Sequence, residues 1–237
     1  MDNTVKEPLI HLSKREDMSF GKKWLVRIIA ILLSLIVCAG FIFIIIKMNP
    51  VEVYEGIVEG AVGTGRRFWV TARDALTLLC VAVAVTPAFK MKFWNIGAEG
   101  QILMGCVASA AMMIYAGNAL PTGLLLVLMF VCSFIAGGIW GIIPAFFKAR
   151  WNTNETLFTL MLNYVAMQVV TFCIVYWENP AGSNSVGIIN APTRAGWFPQ
   201  LFGLDYGWNL AIVLLLTVLM FIYMKRTKHG YEIAVVG

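Results

Sequence analysis

Apolar positions run along this chain in long blocks separated by short polar breaks, without the polar face that a soluble amphipathic helix presents every turn. Six blocks stand out, at residues 24–46, 68–89, 96–116, 122–147, 156–177 and 208–224. A helix needs about 20 mostly apolar residues to cross a bilayer, and each block meets that length. Lipid leaves no partner for a free backbone N–H or C=O, so such blocks are expected to be helical throughout. The pattern predicts an all-α, polytopic transmembrane helical bundle with about six membrane helices. Residues 1–23 read as a cytoplasmic N-terminal segment, and residues 24–237 as the transmembrane domain.

Composition sharpens this picture. Of 237 residues, 59% are hydrophobic and 13% charged, with a mean hydropathy of +0.78. A soluble domain carries about 25% charged residues, so an ordinary soluble globule is excluded. The net charge of +5 does not indicate nucleic acid, because the Lys and Arg sit in short clusters between apolar blocks rather than along one face. They read as topology signals. With the N-terminus cytoplasmic, thirteen of the eighteen basic residues fall on the inner side, and Lys47, Arg66, Arg67, Arg73 and Arg194 fall outside or near the outer face. The first block is too long for a signal-peptide core and reads as an uncleaved anchor.

The five cysteines, Cys38, Cys80, Cys106, Cys132 and Cys173, lie within apolar blocks without paired spacing, so they are expected as small core residues rather than metal ligands or disulfides. His11 and His229 are isolated, and no metal site is expected. "GAVGTGRR" at 60–67 has P-loop-like glycine spacing but lacks the Lys followed by Ser or Thr. No nucleophile elbow, metalloprotease signature or acid pair appears, so a catalytic role is not expected. The polar stretch 178–207 contains Trp197, Phe198, Leu201 and Phe202, which argue for an ordered outer loop. It reads either as a membrane-surface loop anchored by its aromatics or as a docking or gating loop.

Three polar stretches interrupt the lipid-like composition. In "NIGAEGQ" at 95–101, Asn95 is expected to N-cap a helix carrying Glu99 in its first turns. Gly97 and Gly100 weaken a helix, which points to close backbone contact, and Gln101 adds a carboxamide to the same small stripe. Gly97, Gln101 and Gly105 recur every fourth position, as do Gly137, Gly141 and Ala145, a pattern suited to tight helix packing. In "NETLFTLMLNY" at 154–164, Asn152 and Glu155 have capping-box spacing. Thr159 and Asn163 continue from Glu155 at spacing four, while Tyr164, Gln168 and Thr171 form a neighbouring stripe. Polar groups at such depth should face a partner helix or a wet path. The end of the chain, "KRTKHGYEIAVVG", begins a cytoplasmic segment without terminating a fold, and reads as the end of a fragment.

"NIGAEGQ", "NETLFTLMLNY" and "GYEIAVVG" (230–237) resemble, in that order and at those intervals, the membrane permease subunits of bacterial ABC importers for nucleosides and simple sugars. The resemblance covers the second apolar block onward and leans to the nucleoside branch through "TLMLNY" and the long loop that follows. It implies a multi-pass protein of the bacterial plasma membrane that forms a translocation path for a nucleoside or simple sugar. It also implies about four further membrane helices in the full-length protein.

The implied partners are a second permease subunit, two cytoplasmic ABC ATPase subunits, an extracellular binding lipoprotein or periplasmic protein, and membrane lipid. This chain would bind no cofactor, and ATP would be used by the ATPase subunits. The path or gating candidates are Asn95, Gly97, Glu99, Gly100, Gln101, Thr159, Asn163 and Gln168. The ATPase-coupling candidates are Asn154, Glu155, Gly230, Tyr231 and Glu232, with Ala234 standing where the family pattern would have an arginine. Two other classes are weighed against this one. An ion-coupled secondary transporter would use Asp74, Glu99 or Glu155 as proton sites, and a membrane anchor or assembly factor would have no use for buried polar stripes.

Overall fold

The computed structural model describes residues 19–201, 203 and 206–237. Most of the expected N-terminal segment, with His11, lies outside them, as does Phe202. The described elements are helical: α1 (Phe20–Phe41) with a π-helical turn (Ile42–Ile46), α2 (Pro50–Val62), α3 (Gly65–Lys90), α4 (Ala98–Ala116), α5 (Thr122–Trp151), α6 (Glu155–Tyr176), α7 (Gly207–Arg226) and α8 (Lys228–Val236). Six stretches are long and apolar enough to cross a membrane: α1 with its π turn, and α3 to α7. These correspond to the six apolar blocks. α5 runs on to Trp151, past the apolar stretch, because Lys148 and Arg150 suit the negative end of its dipole.

The chain divides into two compact units, ending and beginning at Phe68 and Trp69. In the first, Lys47 takes a left-handed conformation that ends the π turn, and α2 follows. α2 is a helix that apolar periodicity alone does not predict. Its signal is nonetheless in the sequence: Asn49 accepts the Val51 N–H at 3.0 Å, and Pro50 occupies the first helical position, where its missing donor costs nothing. The Tyr54 hydroxyl donates to the Leu35 carbonyl of α1 at 2.7 Å, and Arg67 pairs with Glu59. The glycine-rich 60–67 stretch is thus the junction of α2 and α3.

In the second unit, α4 packs most extensively along α5, then against α6, with a lighter α5–α6 contact. The two small-residue stripes face each other. A Cβ on Gly137 would stand 3.1 Å from the Gln101 carbonyl oxygen, and one on Gly141 would stand 3.1 Å from the Gln101 amide nitrogen. Ser133 of α5 donates to the Gly105 carbonyl at 2.8 Å and also meets the Ser109 hydroxyl. Ala145 is exposed, so the α5 stripe leaves the interface after Gly141.

The cysteines are not core residues. Cys38 and Cys106 are exposed and the other three are only partly covered. The reason is that lipid is as good a solvent for apolar side chains as a protein core, so hydrophobicity does not drive them inward.

The segment after α6 is fastened down. Asn190 donates through Nδ2 to the Met113 carbonyl at 2.8 Å and to the Ala195 carbonyl at 3.1 Å, and Trp197 Nε1 donates to Ile189 at 3.0 Å. Gly196 adopts φ +80°, and a Cβ there would stand 3.1 Å from Met113 Cγ and Met129 Sδ, so a side chain would be both strained and crowded. The Trp177 indole also donates to the Tyr115 hydroxyl at 2.8 Å.

Candidate functional site

Two of the polar stretches form a single structure. The first turn of an α-helix has backbone N–H groups with no intrahelical acceptor, and α4 begins at Ala98 with Gly97 as its N-cap, not Asn95. Asn95 still contributes one residue earlier, because its Oδ1 accepts the Gly97 N–H at 2.9 Å. The remaining acceptors come from α6. Asn163 Oδ1 accepts the Gly100 N–H at 2.8 Å while its Nδ2 donates to the Ile96 carbonyl at 2.9 Å. Thr159 Oγ1 accepts the Ile96 N–H at 3.3 Å and donates to Thr156 within its own helix at 3.1 Å. The start of α4 is therefore capped by a helix 63 residues further on.

Among the described residues, Thr159 and Asn163 are the buried polar side chains, at 0% and 4% exposure. The glycines explain how α6 comes so close. A Cβ on Gly97 would stand 3.0 Å from Thr159 Cβ, and one on Gly100 would stand 2.8 Å from Asn163 Oδ1 and 3.3 Å from Asn163 Cα. Trp140 of α5 closes the third side, with its Nε1 3.1 Å from the same Gly100 Cβ position.

At this end of the bundle α5 turns into α6. Asn152 does not form the expected capping box: it is the left-handed C-cap of α5, and its N–H bonds the Lys148 carbonyl. Asn154 caps α6 instead, accepting the Leu157 N–H at 3.1 Å. Two asparagines two residues apart both had cap chemistry, and only the backbone geometry separates them. Lys148 Nζ lies 2.9 Å from Glu155 Oε2 across the turn, and the Phe147 ring stacks on Phe158 at 4.8 Å between centroids.

With Lys148 35% and Glu155 15% exposed, this ion pair is partly screened. Lys148→Glu is therefore expected to lower the thermal-unfolding midpoint only slightly. The exchange Lys148→Glu with Glu155→Lys should recover part of that loss in thermal unfolding in detergent, the rest being the cost of a Glu at the end of α5 and a Lys at the start of α6. A double variant no more stable than the sum of the two single variants would mean that the two charges do not interact.

The other candidates are placed differently. Glu99 is exposed in the first turn of α4, and Gln101 is half-buried against Gly141. Gln168 is exposed on α6 and does not join the junction.

Gly230, Tyr231 and Glu232 lie within α8. Thr227 makes the corner: its Oγ1 donates to the Tyr223 carbonyl at 2.7 Å and accepts the Gly230 N–H at 3.1 Å. A Cβ on Gly230 would stand 2.5 Å from the carbonyl oxygens of Tyr223 and Met224, so only glycine fits this elbow. Tyr231 is 72% exposed. His229 is not isolated, because its Nδ1 lies 3.1 Å from Glu232 Oε2. Among the described residues no group of three His, Cys, Asp or Glu side chains could hold a metal ion. Sequence reasoning missed Trp140 and Lys148 as members of the junction, since an indole in an apolar run and a lysine read as a topology signal do not show in one dimension which helix they meet.

This arrangement can be set beside known proteins. The family model described as branched-chain amino acid transport system / permease component matches residues 69–237. The nucleoside ABC transporter permease protein NupB of Lactococcus lactis is 29% identical over 226 residues, covering 91% of this chain and 61% of that protein. The guanosine ABC transporter permease protein NupP of Bacillus subtilis is 29% identical over 220 residues, covering 90% and 61%. The glucose ABC transporter permease protein TsgB13 of Haloferax volcanii is 27% identical over 221 residues, covering 86% and 56%.

The chain thus spans about three fifths of the length of these relatives. No solved structure gives a significant match. The family match takes in the junction of α4, α5 and α6 and the α7–α8 corner, and the six apolar helices agree with it. The protein is therefore a multi-pass membrane protein that belongs to the branched-chain amino acid transport system / permease component family.

Proposed function

We propose that this chain is the permease subunit of an ATP-driven importer and carries a nucleoside or simple sugar handed over by an extracellular binding protein. The family match over residues 69–237 carries the reading. The names of the relatives in Lactococcus lactis and Bacillus subtilis favour the nucleoside side. The protein sits in the bacterial plasma membrane with its N-terminus cytoplasmic, as its distribution of basic residues favours. It pairs with a second permease subunit and works with two cytoplasmic ATPase subunits.

In this orientation the junction of α4, α5 and α6 and the α7–α8 corner both lie at the cytoplasmic end. Asn154 and Glu155 are engaged in capping and ion pairing, so they hold the α5–α6 turn as one piece. Tyr231 and Glu232 stand out from α8, available to an ATPase surface. Asn95, Gly97, Gly100, Thr159 and Asn163 hold the inner gate region together, Glu99 and Gln168 keep exposed side chains for the path, and Gln101 stands half-buried beside it against Gly141. The carboxylates that an ion-coupled carrier would use are partly spoken for, with Asp74 2.7 Å from Arg73 and Glu155 held by Lys148.

The test is uptake of labelled nucleoside by vesicles holding the full-length complex. Uptake is expected only with ATP on the ATPase side and with the binding protein outside. Uptake by this subunit alone, driven by a proton or sodium gradient, would overturn the reading.

A further inference from the structure

One helix of the junction has a weak point about two turns before its end. Pro144 lies inside α5 and is fully buried. Having no N–H, it leaves the carbonyl of Trp140, four residues earlier, without its helical donor. Gly137, Gly138 and Gly141 precede it, so the stretch from Gly137 to Pro144 combines the residue types at which long helices bend.

The side chain of Trp140 is unsatisfied as well. Its Nε1 is buried and has no hydrogen-bond partner among the described residues, whereas a buried indole N–H usually finds one. An acceptor lies close by. The position that a Gly100 Cβ would take is 3.1 Å from Trp140 Nε1 and 2.8 Å from Asn163 Oδ1, so indole and carboxamide converge on one spot over α4. Asn163 Oδ1 accepts the Gly100 N–H, and a carbonyl oxygen has a second lone pair. Beyond Pro144, the last turns of α5 carry Phe147 stacked on Phe158 and Lys148 paired with Glu155. Any swing of that end takes the first turn of α6 with it.

We propose that α5 pivots between Trp140 and Pro144, and that Trp140 is a positioning residue whose indole N–H reaches Asn163 only when the far end of α5 has swung. A bond made in one arrangement and not in the other is what biases a two-state equilibrium. The importer reading supplies the force that drives the swing, while the pivot itself is a property of α5. The end of α5 and the start of α6 then move as one body against α4, about the junction that Asn163 holds.

The test uses the full-length transporter in lipid nanodiscs, with spin labels at the exposed positions Val127 and Arg150, one on each side of the pivot. The wild-type protein should give two distance populations whose ratio changes with ATP and binding protein. Pro144→Ala restores the missing donor, and should give one population and at least a fivefold loss of uptake.

Trp140→Phe keeps a large ring without the donor. It should retain both populations but shift their ratio severalfold towards the arrangement described above, and it keeps the test decisive should Pro144→Ala fail to assemble. A single wild-type distance under every condition, or two populations persisting in Pro144→Ala, overturns the pivot. An unchanged ratio in Trp140→Phe overturns the role of Trp140. Two populations in a protein whose uptake ignores ATP would leave the pivot standing and overturn the importer reading.

Discussion

Asn163→Leu is expected to loosen the α4–α6 contact more than any other single polar substitution in the chain. The leucine removes both an acceptor for Gly100 and a donor for Ile96, leaving a buried N–H and a partly buried C=O unpaired. An orphaned buried group costs about 1–3 kcal/mol in proteins generally. In membranes the unfolded chain finds other partners, and measured side-chain hydrogen bonds average about 0.6 kcal/mol with a maximum near 1.7. A combined loss of about 1–3 kcal/mol follows from two such bonds at a site only 4% exposed. Thermal unfolding in detergent should show it as a fall in midpoint. Hydrogen exchange should rise at Ile96 to Gly100 but not in the second half of α4. Uniform exchange along α4 would mean that Asn163 does not cap it.

The second large effect is steric. Gly100→Leu puts a side chain where the Asn163 oxygen and α-carbon already stand, at 2.8 and 3.3 Å from the Cβ position. The α-carbon belongs to the α6 backbone and cannot rotate away, so the helices must separate. Overpacking of a core typically costs about 1–3 kcal/mol, and here it also breaks the bonds of Asn163. Gly138 provides the comparison, because a Cβ there meets nothing within 4 Å. Gly138→Ala should be neutral or stabilising by up to about 1 kcal/mol, the helix-propensity gain. If Gly100→Leu and Gly138→Ala gave similar midpoints, close contact would not be the reason for glycine at position 100.

These predictions mark where the sequence was legible. The six crossing helices could be read from it because lipid allows an apolar run only one regular structure. The small-residue stripes could also be read, yet nothing in one dimension says that the Gly137–Gly141 stripe meets Gln101. The cap of α4 illustrates the limit. Capping rules look within a few residues, and they correctly drew attention to Asn95, but the acceptor for Gly100 lies on another helix.

Local rules also chose Asn152 over Asn154, because the spacing to Glu155 is a capping-box spacing while the left-handed turn at Asn152 is visible only in the backbone. α2 escaped through attention to hydropathy alone, although the Asn49–Pro50 pair announces a helix start. The cysteines were misjudged for a physical reason, since rules for burial in water do not carry over to a chain solvated by lipid.

The borrowed cap has a consequence for how the protein is made. α4 has the lowest hydropathy of the six candidate spans, at 1.2, and the groups that complete its first turn are not synthesised until some sixty residues later. A nascent chain that has just released α4 therefore holds a poorly apolar helix with unmet donors at one end. That end has to stay in contact with water or with the insertion machinery until α6 arrives. Insertion of α4, α5 and α6 is thus a single event spread over three helices, and a ribosome pause between α5 and α6 would strand the least hydrophobic of them.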